Sequence, residues 1–94
     1  MLREVVEFYG ADMQLNICIE EMSELIKELC KVKRGIARPY NIAEEMADVQ
    51  IIMEQLEIIF DNSEDVEKWY FKKLKRLMER LEADKTRLGG VNNA

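Results

Sequence analysis

Two pairs of acidic residues lie where a helical chain should place apolar side chains. Glu21 and Glu24 form the first pair, and Glu45 and Asp48 form the second, each inside a strongly helical stretch. Residues three apart lie on one face of a helix. Each pair therefore points two carboxylates in one direction, and the fold must accommodate two acidic helix faces.

The second pair continues into an apolar seam. Ile52, Leu56 and Ile59 follow it at the 3-and-4 spacing that is typical of a core-facing stripe. Like charges in a packed interface lose hydration and repel one another, which is costly. A divalent cation between the two helices would remove this conflict, and oxygen-only ligands favour Mg²⁺ or Mn²⁺. The pattern predicts a metal site, and the alternative is a solvated acidic face.

Composition restricts the partners. The 94-residue chain carries a net charge of −5, which argues against sequence-independent binding to duplex nucleic acid. No apolar run is long enough to span a membrane, and the N-terminus lacks a signal-peptide core. Cys18 and Cys30 lie twelve residues apart, too far along one helix for a disulfide. We expect both to be small buried side chains of a cytoplasmic protein.

Histidine is absent from the chain. Its absence excludes catalytic triads based on histidine, zinc sites with imidazole ligands, and the di-iron helical bundle with Glu-x-x-His motifs. General acid–base catalysis by histidine is therefore excluded as well.

The sequence predicts an all-α fold, because no segment alternates with period two and proline occurs once. Gly10 separates the first two helices, Gly35 is a natural residue to follow the second, and Asn41 with Glu44 resembles a capping arrangement for the third. Asp61 begins a turn before the fourth. The predicted helices span residues 2–9, residues 11–34, a third segment that begins after its cap at Asn41 and ends at residue 60, and residues 64–87.

We expect one helical domain over residues 1–88 and a flexible C-terminal tail over residues 89–94. The third helix is apolar over nearly its whole circumference, with Ile51 and Ile58 on the side opposite its seam. A helix that is apolar all round is buried on all sides. In so short a chain, this predicts a homo-oligomer.

The fourth helix combines an apolar and a basic stripe. Lys73, Arg76 and Arg80 follow Trp69 at 4-3-4 spacing, and such cations bind phosphate oxygens. Beside a Mg²⁺ site, the stripe suggests a polyphosphate substrate, whereas alone it suggests solvation. The predicted core stripe of this helix is Val66, Tyr70, Leu74, Leu77 and Leu81.

These motifs together resemble the MazG-like all-α nucleotide pyrophosphohydrolases, particularly small phage-type members. The resemblance is carried by the strings Glu20-Glu21-Met22-Ser23-Glu24 and Glu44-Glu45-Met46-Ala47-Asp48 on two helices. The upstream Gln14 and the downstream basic stripe are also similar. The resemblance spans roughly residues 8 to 81.

The resemblance implies Mg²⁺-dependent hydrolysis of a nucleoside triphosphate between its α- and β-phosphates, giving the monophosphate and pyrophosphate. It also implies a helical bundle completed by assembly into a dimer or tetramer. The metal ligands would be Glu21, Glu24, Glu45 and Asp48. Glu20 would have a catalytic role, and either Glu20 or Glu28 could accept the proton of the attacking water. The implied substrate-binding residues are Gln14, Lys73, Arg76 and Arg80.

Two alternatives remain open. Phosphoribosyl-ATP pyrophosphohydrolase belongs to the same superfamily, but that family carries histidine near its second acidic motif and this chain has none. A non-enzymatic helical module, whose acids bind a structural ion or a basic partner, would also fit the pattern.

Overall fold

The protein is all-helical throughout the part that the computed structural model describes, residues 1–36 and 39–92, which confirms the predicted fold class. The described residues form four helices, α1 (Leu2–Tyr9), α2 (Ala11–Lys33), α3 (Pro39–Phe60) and α4 (Ser63–Asn92). Contacts divide the chain into unit 1, Met1–Asp61, and unit 2, Asn62–Ala94. The expectation of one domain over residues 1–88 stays a prediction.

Glycines end the first two helices, as predicted. Gly10 has a φ of 89° between α1 and α2, and Gly35 has a φ of 75° just after α2. The amide of Gly35 donates to the carbonyl of Val32 at 2.9 Å, and the amide of Ile36 donates to that of Lys31 at 3.0 Å. This pair of bonds is a Schellman motif, which satisfies the last carbonyls of the helix.

Two predicted helix ends are wrong. Helix α3 begins at Pro39, so Asn41 lies inside the first turn rather than before it. Proline is tolerated there because the first amides of a helix have no partner within the helix. Helix α4 continues to Asn92, beyond the predicted end at Arg87 and into the predicted tail, whose last two residues lie outside the described ranges.

The core of unit 1 is small and lies between antiparallel α2 and α3. Gln14 donates to Gln55 at 2.7 Å, and the Cys18 thiol lies 3.7 Å from the carbonyl of Ile52. In these two pairs, the residue number increases along α2 and decreases along α3, so the two helices run in opposite directions. Val6 of α1 completes the set of buried apolar side chains.

Cys30 is exposed, although burial was expected for both cysteines. Twelve residues of helix amount to about three and one third turns, so Cys30 is rotated away from the face that holds Cys18. The twelve-residue spacing itself was already visible in the sequence.

Unit 2 consists of α4, and the predicted core stripe of this helix is exposed. Tyr70 is 60% exposed and Leu77 is 57% exposed. Unit 2 has no second helix among its described residues, so the stripe has no partner within its own unit. No helix in residues 1–36 and 39–92 combines the length and apolar character needed to cross a membrane.

Candidate metal centre

Three carboxylates converge where the α2–α3 contact continues past Cys18 and Ile52. Carboxylate oxygens of Glu21, Glu45 and Asp48 all lie within 4.8 Å of one another, and the three side chains are half-buried. Glu21 is one turn beyond Cys18 on α2, while Asp48 is one turn before Ile52 on α3. The antiparallel register therefore brings the two acidic strings face to face, as their placement in the seam predicted.

Partial burial, followed by the charges of neighbouring carboxylates, raises the pKa of two of these groups. For Glu21, the larger cause is partial burial, followed by the charge of Asp48 and a hydrogen bond with Asp48. For Glu45, partial burial again comes first, followed by the charges of Asp48 and Glu24. Both shifts mean that the site resists holding its full negative charge when no cation is present.

The cluster also contains unsatisfied oxygen atoms. Glu45 Oε2 and Glu28 Oε2 are buried and have no hydrogen-bond partner within residues 1–36 and 39–92. The other carboxylate oxygen of Glu28 lies 3.2 Å from Lys31 Nζ, and the charge of Glu28 contributes to the raised pKa of Glu45. A buried acceptor without a partner is costly, so these oxygens favour the approach of a cation or a donor.

Glu24 and Glu20 lie outside the group of three. Both side chains are exposed, although the charge of Glu24 raises the pKa of Glu21 and of Glu45. Glu24 is therefore electrostatically close to the group without converging on it. Its role as a ligand and the catalytic role of Glu20 stay predictions.

The three converging residues fit a hard divalent cation. Mg²⁺ binds oxygen at roughly 2.1 Å in an octahedron, so its ligand atoms are separated by about 3 to 4 Å, compatible with oxygens that all lie within 4.8 Å of one another. The donors are all carboxylate oxygens, which suits Mg²⁺ or Mn²⁺ better than softer metals. The unpartnered Glu45 Oε2 supplies a ligand atom that nothing else in the described residues satisfies.

Gln14 lies in the same α2–α3 contact, two turns before Glu21. It is 3% exposed, and its partner Gln55 is 6% exposed. Gln14 Oε1 is buried without a partner. Sequence reasoning singled out Gln14 but missed Gln55, which lies seven residues after Asp48 and therefore on the same face of α3.

The predicted basic residues share one face of α4. Lys73, Arg76 and Arg80 line, with Leu77, a shallow depression of about 280 Å³. Beside it, the ammonium groups of Lys72 and Lys73 lie 4.9 and 5.9 Å from the ring centroid of Trp69. This face can hold an anion through its three cations.

Comparisons of the chain with protein-family models, curated proteins and solved structures found no match.

Proposed function

We propose that this protein is a Mg²⁺-dependent nucleoside triphosphate pyrophosphohydrolase, which cleaves between the α- and β-phosphates and releases a nucleoside monophosphate and pyrophosphate. The observation that carries the proposal is the convergence of Glu21, Glu45 and Asp48 between antiparallel α2 and α3. The two acidic strings that resemble the MazG-like pyrophosphohydrolases supply the reaction class.

The carboxylates would hold the metal from both helices. Glu21 reaches it from α2, and Glu45 and Asp48 reach it from α3, with Glu24 as the fourth predicted ligand. A bound Mg²⁺ would supply neutralisation of the triphosphate charge and activation of water. The two helices fix the carboxylates before substrate arrives, so the ligands need little reorganisation.

A carboxylate near the metal would accept the proton of the attacking water, since the chain lacks histidine. Glu28 fits this role better than Glu20 does. Its Oε2 is buried and has no partner among the residues that the structure describes, whereas Glu20 is exposed. Lys31 holds the other oxygen of Glu28 and so orients the group.

Lys73, Arg76 and Arg80 would bind the phosphates of the substrate and stabilise charge on the departing pyrophosphate. Arginine presents a planar fork of donors that matches two phosphate oxygens, while lysine acts as a point charge. Their common face on α4 supports this role, and Gln14 is kept as a proposed substrate-binding residue.

Exposed apolar side chains support assembly into a homo-oligomer, either a dimer or a tetramer. Phe60 of α3 is 58% exposed, and Ile26 of α2 is 61% exposed. Large apolar side chains that are exposed to this extent are often covered in protein interfaces. The same exposure also favours the second candidate, a helical interaction module without catalysis.

Pyrophosphate release separates the two candidates. A panel of ribo-, deoxy- and modified nucleoside triphosphates is incubated with the protein, with and without Mg²⁺, and pyrophosphate is measured. We expect Mg²⁺-dependent release from at least one nucleotide. If no nucleotide released pyrophosphate, the interaction module would be the better-supported function.

The metal ligands are tested by Asp48→Asn, with Glu54→Gln as a matched control on the same helix, because Glu54 is exposed and outside the cluster. Asp48→Asn should abolish turnover and the rise in melting temperature that Mg²⁺ produces, since ligands stabilise the state that binds them. The control should keep both. Equal stabilisation of the wild type and Asp48→Asn by Mg²⁺ would exclude Asp48 as a ligand.

A further inference from the structure

Residues 69–81 of α4 form an exposed segment that is both apolar and basic, here named the aromatic-basic segment. It contains seven apolar, five basic and one acidic side chain, and all thirteen residues are exposed. Tyr70, Leu74, Leu77 and Leu81 follow one another at 4-3-4 spacing and so form a continuous apolar side. This side has no partner within the described residues of its own unit.

Charge selects among the surfaces that could cover this segment. Pairing with the same segment of a second α4 would place five basic side chains against five others, and like charges in an interface are costly. Residues 1–61 have the opposite balance, with thirteen acidic and six basic residues. The complementary surface is therefore unit 1.

Unit 1 also offers apolar area beside its acidic cluster. Ile26 and Leu29 of α2 are 61% and 47% exposed, and Met46 and Met53 of α3 are 50% and 43% exposed. On each helix, these residues are rotated in the same sense away from the α2–α3 contact line. In an antiparallel pair, such residues lie on one side of the hairpin. A helix with an apolar side and basic flanks can cover this side.

We propose that the aromatic-basic segment of one copy packs against α2 and α3 of a second copy, and that the exchange is reciprocal. Lys73, Arg76 and Arg80 of each copy then face the acidic cluster of the other. The docking itself does not depend on the proposed function. Its consequence, that substrate is bound between two copies of the chain, rests on the proposed function.

The contact itself is tested without any activity. Full-length chains labelled with ¹⁴N and ¹⁵N are mixed, refolded together and treated with a carbodiimide, which joins a lysine amine to a carboxylate as an amide with loss of water. We expect cross-links between Lys73, which shares its face of α4 with Arg76 and Arg80, and acidic residues 20–48 that combine one light and one heavy peptide. Lys85, outside the segment, supplies the background.

Each other outcome overturns the proposal. Cross-links found only in pairs of the same label would place the contact within one chain. If no such cross-link formed and the protein instead bound anionic phospholipid vesicles, the segment would be a lipid-binding surface. If neither the cross-links nor vesicle binding were found, the segment would not be covered by a second copy.

Mixed variants test the catalytic consequence. Asp48→Asn should be inactive alone, and Arg76→Ala should be strongly impaired alone. Refolded together in equal amounts, they should recover about a quarter of wild-type activity, because half of the two-fold dimers would be mixed and would hold one intact site. Sites confined to single chains would recover none. An inactive wild type would refute the proposed function and leave the cross-linking result to decide the docking.

Discussion

At the scale of single residues, Glu21 and Glu45 stand out because both have raised pKa values. Their pKa values lie above the ordinary value of 4.5, chiefly because of burial and secondarily because of neighbouring carboxylates. Each group binds its proton more tightly in the folded protein than in the unfolded chain. Its stabilising contribution is therefore complete below pH 4.5 and is lost as pH rises through the raised values.

Without metal, the melting temperature should fall as pH rises above 4.5, and Glu45→Gln should reduce this fall because it removes one of the two groups. Mg²⁺ requires ionised ligands, so the stabilisation that it gives should grow over the same range. Differential scanning calorimetry at several pH values measures both trends. Glu54→Gln should keep the wild-type dependence of melting temperature on pH. If Glu45→Gln also kept it, the fall in melting temperature would not originate in the acidic cluster.

The buried pair of Gln14 and Gln55 supports a second prediction at this scale. Gln55→Leu removes the acceptor of the 2.7 Å hydrogen bond and leaves the amide of Gln14 unpaired, which should cost about 1–3 kcal/mol of stability. Adding Gln14→Leu should restore part of the loss. Urea denaturation of the single and double variants measures the coupling, and additive losses would mean that the two side chains do not interact.

Helix α2 ends because of one backbone conformation rather than because of packing. Gly35 has a φ of 75°, and a methyl group added there would meet open space. Gly35→Ala should therefore lose about 1 kcal/mol through the left-handed backbone alone. Gly35→Asn should lose less, because asparagine tolerates that conformation. Equal losses in denaturant titrations would assign the cost to side-chain contacts instead.

Helix α4 carries the prediction that bears on substrate. Arg76→Ala and Arg80→Ala should keep the Mg²⁺-induced rise in melting temperature but lose turnover by roughly 30- to 1000-fold, which is typical of a charged contact made in the transition state. Arg76→Lys should recover only part, because lysine lacks the bidentate fork. Steady-state kinetics measures the loss.

Lys75 is the internal control for this helix, since it lies outside the face that Lys73, Arg76 and Arg80 share. Lys75→Ala should leave turnover near the wild-type value. If it reduced turnover as much as Arg76→Ala does, the effect would be general attraction of a polyanion by a basic helix.

At the scale of the whole molecule, more large apolar side chains are exposed than buried among the described residues. Three apolar residues are buried among the described residues, namely Val6, Cys18 and Ile52, while large apolar side chains are exposed on all four helices. Small domains gain stability by oligomerisation when their own core is limited. Assembly and folding should therefore be coupled.

Leu81→Glu should shift the protein from an oligomer toward the 11.1 kDa chain and lower its melting temperature, because it places a charge on an apolar side that is 51% exposed in the single chain. Thr86→Glu, at an exposed polar position of the same helix, should change neither. Light scattering gives the mass. A wild-type mass equal to one chain at micromolar concentration would refute assembly.

The helices, most of their ends and the position of Glu45 and Asp48 in line with the apolar seam of α3 could be predicted from the sequence alone. Gly10 and Gly35 set ends through local backbone chemistry, and the 3-and-4 spacing of Glu45, Asp48 and Ile52 places them on one face. Such features depend only on neighbours along the chain. For the same reason, the bounds of α1 were predicted correctly.

Only the tertiary structure decided which side chains converge. Glu21 joins Glu45 and Asp48 while Glu24 lies outside the three, Gln55 pairs with Gln14, and Cys30 is exposed. These outcomes depend on the rotation of α2 and α3 about their axes and on their register. Local periodicity defines a helix face, but only packing against another helix selects the line along that face where contact occurs.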